Sequence, residues 1–172
     1  MLNVVDGYNF IFKIPRLEGA IERSSLEKAR EELLSLLSRY KLVTNQDFTV
    51  VFDGREQKGY QPGPAEQLFQ GIRVIFSKAT TADEDIISLI QVFPNPGEIT
   101  VVTSDNSILR AARRSGCHTS PPDEFYKKIT RTLKKEKFGS TKEPSGKYQE
   151  LPEHEVKYWL KYFRGRLEGE GE

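Results

Sequence analysis

Three β-forming apolar runs of this 172-residue chain each lead into a carboxylate: Leu2–Val5 into Asp6, Phe48–Phe52 into Asp53, and Ile99–Thr103 into Ser104 and Asp105. A fourth acidic group, Asp83-Glu84-Asp85 after Thr80-Thr81-Ala82, opens a stretch with helical apolar spacing. If the strands are parallel neighbours, their acids meet at one sheet edge, in the crevice where open α/β sheets bind ligands. Carboxylates gathered there resist joint ionisation unless a cation compensates them. Magnesium takes oxygen ligands, keeps several waters, and is held by one or two carboxylates plus substrate phosphate. The set therefore reads as a divalent-metal site that handles phosphodiesters. Singly, each acid has a plainer use. Asp53-Gly54 is an ordinary turn dipeptide, Asp83 and Glu84 suit the first turn of a helix, and Asp105 suits an N-cap. Those uses leave Asp6-Gly7-Tyr8-Asn9 unexplained.

The elements that must position these residues alternate. Strand-like runs at Leu2–Val5, Phe48–Phe52, Ile72–Phe76 and Ile99–Thr103 are separated by helical periodicity, which predicts a mostly parallel sheet covered by helices. Ser24 with Glu27 has the capping-box spacing ahead of a helix whose apolar stripe is Leu26, Ala29, Leu33, Leu36, Leu37 and Tyr40. Thr81 with Glu84 repeats that spacing before Ile86, Ile87, Leu89 and Ile90. Asn106–Ser115 reads as a short helix stopped by Gly116. The run Phe125–Phe138 is expected to be helical, with Phe125, Ile129 and Leu133 on its apolar side. Gly54–Gly71 is long for a connection in a compact domain and is a candidate functional loop carrying Arg55, Lys58 and Tyr60. Gly139–Lys147 reads as a flexible connection to a C-terminal helix from about Pro152, packed on the same domain through Trp159 and Phe163.

Net charge is +1, but residues 1–106 carry −4, residues 107–147 carry +7 and residues 148–172 carry −2. The positive segment includes Lys127, Lys128, Arg131, Lys134 and Lys135 on one side of the expected helix, with Arg110, Arg113 and Arg114 before it. A basic region beside an acidic site is what a metal-dependent nuclease needs to hold a long polyanion. Solvated charged faces look the same in sequence. A single cysteine, Cys117, rules out an intramolecular disulfide and a cysteine-based zinc site. Phosphate-loop and dinucleotide fingerprints are absent, and His118 and His154 lie far apart. No run approaches a spanning helix, so a cytoplasmic protein with no membrane association is expected, as a monomer.

In order and spacing, Asp6-Gly7-Tyr8-Asn9, Val51-Phe52-Asp53-Gly54, Thr81-Ala82-Asp83 and Thr103-Ser104-Asp105 resemble the YacP-like group of NYN-domain ribonucleases, in the PIN-like superfamily. The resemblance covers residues 1–137. It implies a PIN-like three-layer α/β/α sandwich and a metal-dependent endoribonuclease of mRNA decay or RNA processing. Its metal-binding acids fall on Asp6, Asp83 and Asp105, with Mg2+ or Mn2+ as cofactor and Asn9 supporting the site. Glu84 and Asp53 are further candidate ligands. The expected partner is RNA, mRNA foremost, with the ribosome as a further candidate. The basic segment matches no motif of that family; from the charge pattern, RNA would be held by Lys127, Lys128, Arg131, Lys134 and Lys135, with Arg55, Lys58, Arg110, Arg113 and Arg114 as additional candidates. Two alternatives stand beside this reading: a non-catalytic RNA- or ribosome-binding module, and a structure-specific DNA nuclease.

Overall fold

The computed structural model describes residues 1–54, 66–77 and 80–139. Met1–Lys137 and Phe138–Glu172 are two compact units of internal contacts. The C-terminal helix expected from about Pro152, like the loop cations Arg55 and Lys58, lies outside the described residues.

A six-stranded sheet organises the first unit: β1 (Leu2–Asp6), β2 (Asp47–Asp53), β3 (Glu66–Phe69), β4 (Ile72–Ser77), β5 (Ile99–Val102) and β6 (His118–Ser120). In space the order is β3-β4-β2-β1-β5-β6. Every pairing is parallel except β3 with β4. The β3–β4 hairpin turns at Gln70 and Gly71, with φ of 47° and 80°, the left-handed pair that a two-residue turn requires. Central strands β1, β2 and β5 read as nearly continuous apolar runs because helices cover both of their faces.

Among the described residues six α-helices make the outer layers: α1 (Gly7–Lys13), α2 (Pro15–Arg23), α3 (Leu26–Thr44), α4 (Ala82–Val92), α5 (Asn106–Arg114) and α6 (Pro122–Gly139). One face of the sheet buries Phe10, Ile11, Leu17, Leu33, Leu37, Phe125 and Ile129 from α1, α2, α3 and α6. The opposite face buries Ile86, Ile90, Ile108 and Ala112 from α4 and α5. The result is the expected three-layer α/β/α sandwich with a mostly parallel sheet.

Several local expectations are corrected. Helix α3 is capped by Ser25, whose hydroxyl accepts from Lys28 N–H, because Ser24 is engaged in closing α2 through Ala20 O. Part of the Gly54–Gly71 stretch is strand β3, not loop. The helices α1 and α2 and the short edge strand β6 were not expected from the sequence pattern.

Candidate active site

The sheet reverses its order of growth at β1, with β2 and β4 on one side and β5 and β6 on the other. Such a switch point leaves a crevice at the carboxyl ends of the strands. Asp6 ends β1 at that crevice, and Thr103-Ser104-Asp105 follows β5 beside it.

Asp6 is buried and caps α1, its Oδ1 accepting from Asn9 N–H at 3.3 Å. Its Oδ2 accepts from the Thr103 hydroxyl at 3.0 Å. The same hydroxyl oxygen accepts the Asp105 N–H at 3.0 Å. Thr103 thus ties two candidate acids together through one fully buried side chain. Asn9 completes the brace: its Oδ1 accepts from both the backbone N–H and the hydroxyl of Ser104, each at 2.9 Å. Gly7 is required because any Cβ there would run into the Phe52 ring. Each residue of Asp6-Gly7-Tyr8-Asn9 therefore has a use: carboxylate and cap, clearance, core packing and loop brace.

The remaining acids approach from neighbouring elements. Asp105 caps α5, accepting from Ser107 N–H at 2.7 Å and Ile108 N–H at 3.2 Å. Asp83 stands half-buried in the first turn of α4. Asp53 ends β2, opposite Ser77 of β4. Glu84 is bound into the capping box, accepting from Thr81 N–H at 3.0 Å. Asp85 accepts from the Thr80 hydroxyl at 2.6 Å and also from Ser77, so it fastens α4 to the end of β4.

Burial first, and neighbouring carboxylates after it, raise two of these acids, Asp6 and Asp83. Burial, reinforced by the charges of Asp83 and Asp105 and opposed by the bonds from Thr103 and Asn9, pushes the Asp6 carboxyl up to about 6. Asp83 is also raised, by its own burial first and then by Asp105, Asp53 and Glu84. Asp105 is lowered, chiefly by the Ser107 hydroxyl, with its capping amides and Arg110 helping. An oxygen-rich set in which Asp6 and Asp83 are held above the usual carboxylate range fits a hard divalent cation. Among the described residues no three His, Cys, Asp or Glu side chains converge closely enough to cage an ion by themselves. An ion that keeps waters and shares ligands with a phosphate does not need such a cage.

Of the expected RNA-binding residues, Lys127, Lys128, Arg131, Lys134 and Lys135 are exposed on α6. Lys127 pairs with Asp123 at 3.6 Å, and Lys128 lies 5.9 Å from the Phe125 ring centroid. Arg110, Arg113 and Arg114 are exposed on α5, with Arg110 close enough to Asp105 to lower its pKa. Thr103 was missed from the sequence as a site residue. Its signal was a hydroxyl at the end of an apolar strand, two residues before a carboxylate.

The mostly parallel α/β/α sandwich carries its acids at the switch point, as a nuclease-like domain would. The YacP-like NYN domain model matches residues 3–164, so the chain belongs to the YacP-like NYN family. The matched span runs well beyond residue 137, where the motif resemblance ends. "Uncharacterized protein YacP" of Bacillus subtilis (strain 168) is 31% identical over 171 residues, 96% of this chain and 98% of that protein. A crystal structure of Rae1 (YacP) from Bacillus subtilis superposes with a TM-score of 0.68 at 29% identity, over 100% of this chain and 99% of that one. A mutant of the same protein matches with a TM-score of 0.64 at 28% identity, over 78% and 77% of the two chains. Among the described residues no helix is long and apolar enough to cross a membrane.

Proposed function

We propose that the protein is a metal-dependent endoribonuclease that cleaves RNA phosphodiester bonds, mRNA foremost. The observation that carries this reading is the joining of Asp6 and Asp105 through the buried Thr103 hydroxyl, with Asp83 near enough to raise the Asp6 carboxyl. A purely structural role would favour a neutral or paired set, since buried like charges cost stability. Asp6, Asp83 and Asp105 would hold Mg2+ or Mn2+, with Asp53 the next candidate. Glu84 is the weakest, because its carboxylate serves the α4 cap. Bound there, the ion would lower the pKa of a water and offset charge on the phosphoryl oxygens. Asn9 and Thr103 fix the spacing of the loops that present the acids. The α1 start is tied to the loop after β5 at three points, so Asp6 and Asp105 do not need to reorganise relative to each other when a phosphate arrives.

Cleavage of one end-labelled sequence, made as RNA and as DNA, with Mg2+, with Mn2+ and with chelator, tests the reading. Metal-dependent cutting of RNA alone supports it. DNA cleavage at equal rate points to a DNA nuclease, and binding of RNA without cleavage in any metal points to a non-catalytic module, including one that docks on the ribosome.

A further inference from the structure

An exposed aromatic ring and a file of cations lead away from the acidic crevice along α1 and α2. Asn9, Phe12 and Lys13 stand at i, i+3 and i+4, so they share one side of α1 within about one turn. Phe12 is 47% exposed, and its ring centroid lies 6.3 Å from that of buried Tyr8. Tyr8 is itself held by a hydrogen bond from the buried Arg30 guanidinium at 3.0 Å. The Phe12 ring is thus backed by a fixed partner and open in front. Lone exposed apolar side chains are common on protein surfaces. This one stands three residues from Asn9, which braces the candidate site.

Lys13 and Arg16 follow, and neither has an acidic partner among the described residues. Arg16 lines a cleft of 190 Å³ between α2, α3 and α6, together with Arg39 and Tyr126. Glu31 and Glu32 also line it, but Glu31 is taken by Lys28 at 3.0 Å, and Arg39 has no acidic partner among the described residues. Aromatic faces interleaved with cations are how proteins hold single-stranded nucleic acid.

We propose that single-stranded RNA runs from the acidic crevice along α1, one base stacked on Phe12 and phosphates on Lys13 and Arg16, into the cleft beside Arg39 and Tyr126. The proposal rests on the RNA-cleaving reading and adds the path of the strand outside the scissile bond. Stacking and phosphate contact leave different signatures. Truncating a stacking ring lowers affinity without changing salt dependence, by about 5- to 150-fold per base. Removing a phosphate contact lowers the slope of log K against log salt, by about 0.7 per contact on single strands.

The test measures binding of a short unstructured RNA across salt concentrations, in full-length protein carrying Asp6→Asn to prevent cutting. Phe12→Ala and Phe12→Leu are expected to lose affinity at unchanged slope, and Phe12→Trp to retain it. The Leu variant keeps apolar bulk against Tyr8, so its loss reads out stacking and not folding. Lys13→Ala, Arg16→Ala and Arg39→Ala are each expected to lower the slope. Thermal melts confirm that each exposed-site variant is folded. Cleavage of RNA by the wild type, combined with unchanged affinity and slope in all of these variants, overturns this path alone. A slope that drops only when Lys128, Arg131 and Lys135 are replaced has the same meaning and moves the strand to α6. Wild-type protein that neither binds nor cuts RNA overturns both the path and the function it rests on.

Discussion

Replacing Asp6 with Asn should stabilise the metal-free protein at neutral pH while abolishing its chemistry. The Asp6 carboxyl is pushed from 3.8 up to about 6, mainly by burial, so the folded state holds its proton more tightly than the unfolded chain does. The resulting penalty on the wild type is absent below pH 3.8, grows as pH rises towards about 6, and is complete above it. At 1.36 kcal/mol per pH unit that interval amounts to roughly 3 kcal/mol. The Asn carbonyl can serve only one of the two donors that Asp6 accepts, Asn9 N–H and the Thr103 hydroxyl, and losing the other costs about 1 kcal/mol. A net gain of about 2 kcal/mol at pH 7.5 follows, or about 4–8 °C in Tm for a domain of this size. Urea unfolding of both proteins in chelator, at pH 7.5 and pH 4, measures it. At pH 4 the advantage should vanish and the variant should be slightly the less stable. A variant less stable than wild type at pH 7.5, or a difference that does not change with pH, would refute the charge argument.

Asp105→Asn should keep the fold, since Asn caps a helix as well as Asp does; it should lose RNA cleavage by at least about a hundredfold, and near wild-type cutting would remove Asp105 from the site. Thr103→Val leaves the Asp105 N–H without its acceptor, which should cost about 1–3 kcal/mol in chemical denaturation and reduce cleavage, with Thr103→Ser restoring both. Mg2+ or Mn2+ at a hundredfold excess over Kd should stabilise the wild type by about 2.7 kcal/mol and Asp83→Asn much less; equal shifts in the two proteins would place the ion elsewhere. Gly7→Ala should lose about 1–3 kcal/mol because its Cβ meets the Phe52 ring, and an unchanged unfolding midpoint would contradict that packing.

The central strands and the long helices were legible in the sequence because burial on one or two faces writes a clear period into it, as in Val4, Val5, Val50, Val51, Val101 and Val102. The placement of Asp6, Asp53 and Asp105 at or just past strand ends was legible for a related reason: a parallel sheet puts every strand's carboxyl end at the same edge. Helices α1 and α2 were not. Gly7 and Pro15 look like breakers, yet each occupies the first position of a helix, where Pro costs nothing and Gly gives clearance. Strand β3 is four residues of mostly exposed edge without alternation, and β6 is three residues, too short for either to carry a pattern. The adjacent Ser24 and Ser25 offer two caps, and only the end of α2 decides between them. The bond from Thr103 to Asp6 spans 97 residues of chain, and no local rule reaches that far.

A crystal of the protein soaked with Mn2+ and measured for anomalous scattering tests the metal site most directly. A peak is expected in the crevice at the carboxyl ends of β1 and β5, bonded to oxygens of at least two of Asp6, Asp83 and Asp105, and lost in Asp83→Asn crystals. An empty crevice at saturating Mn2+, or a peak that binds none of these carboxylates, would contradict this metal site.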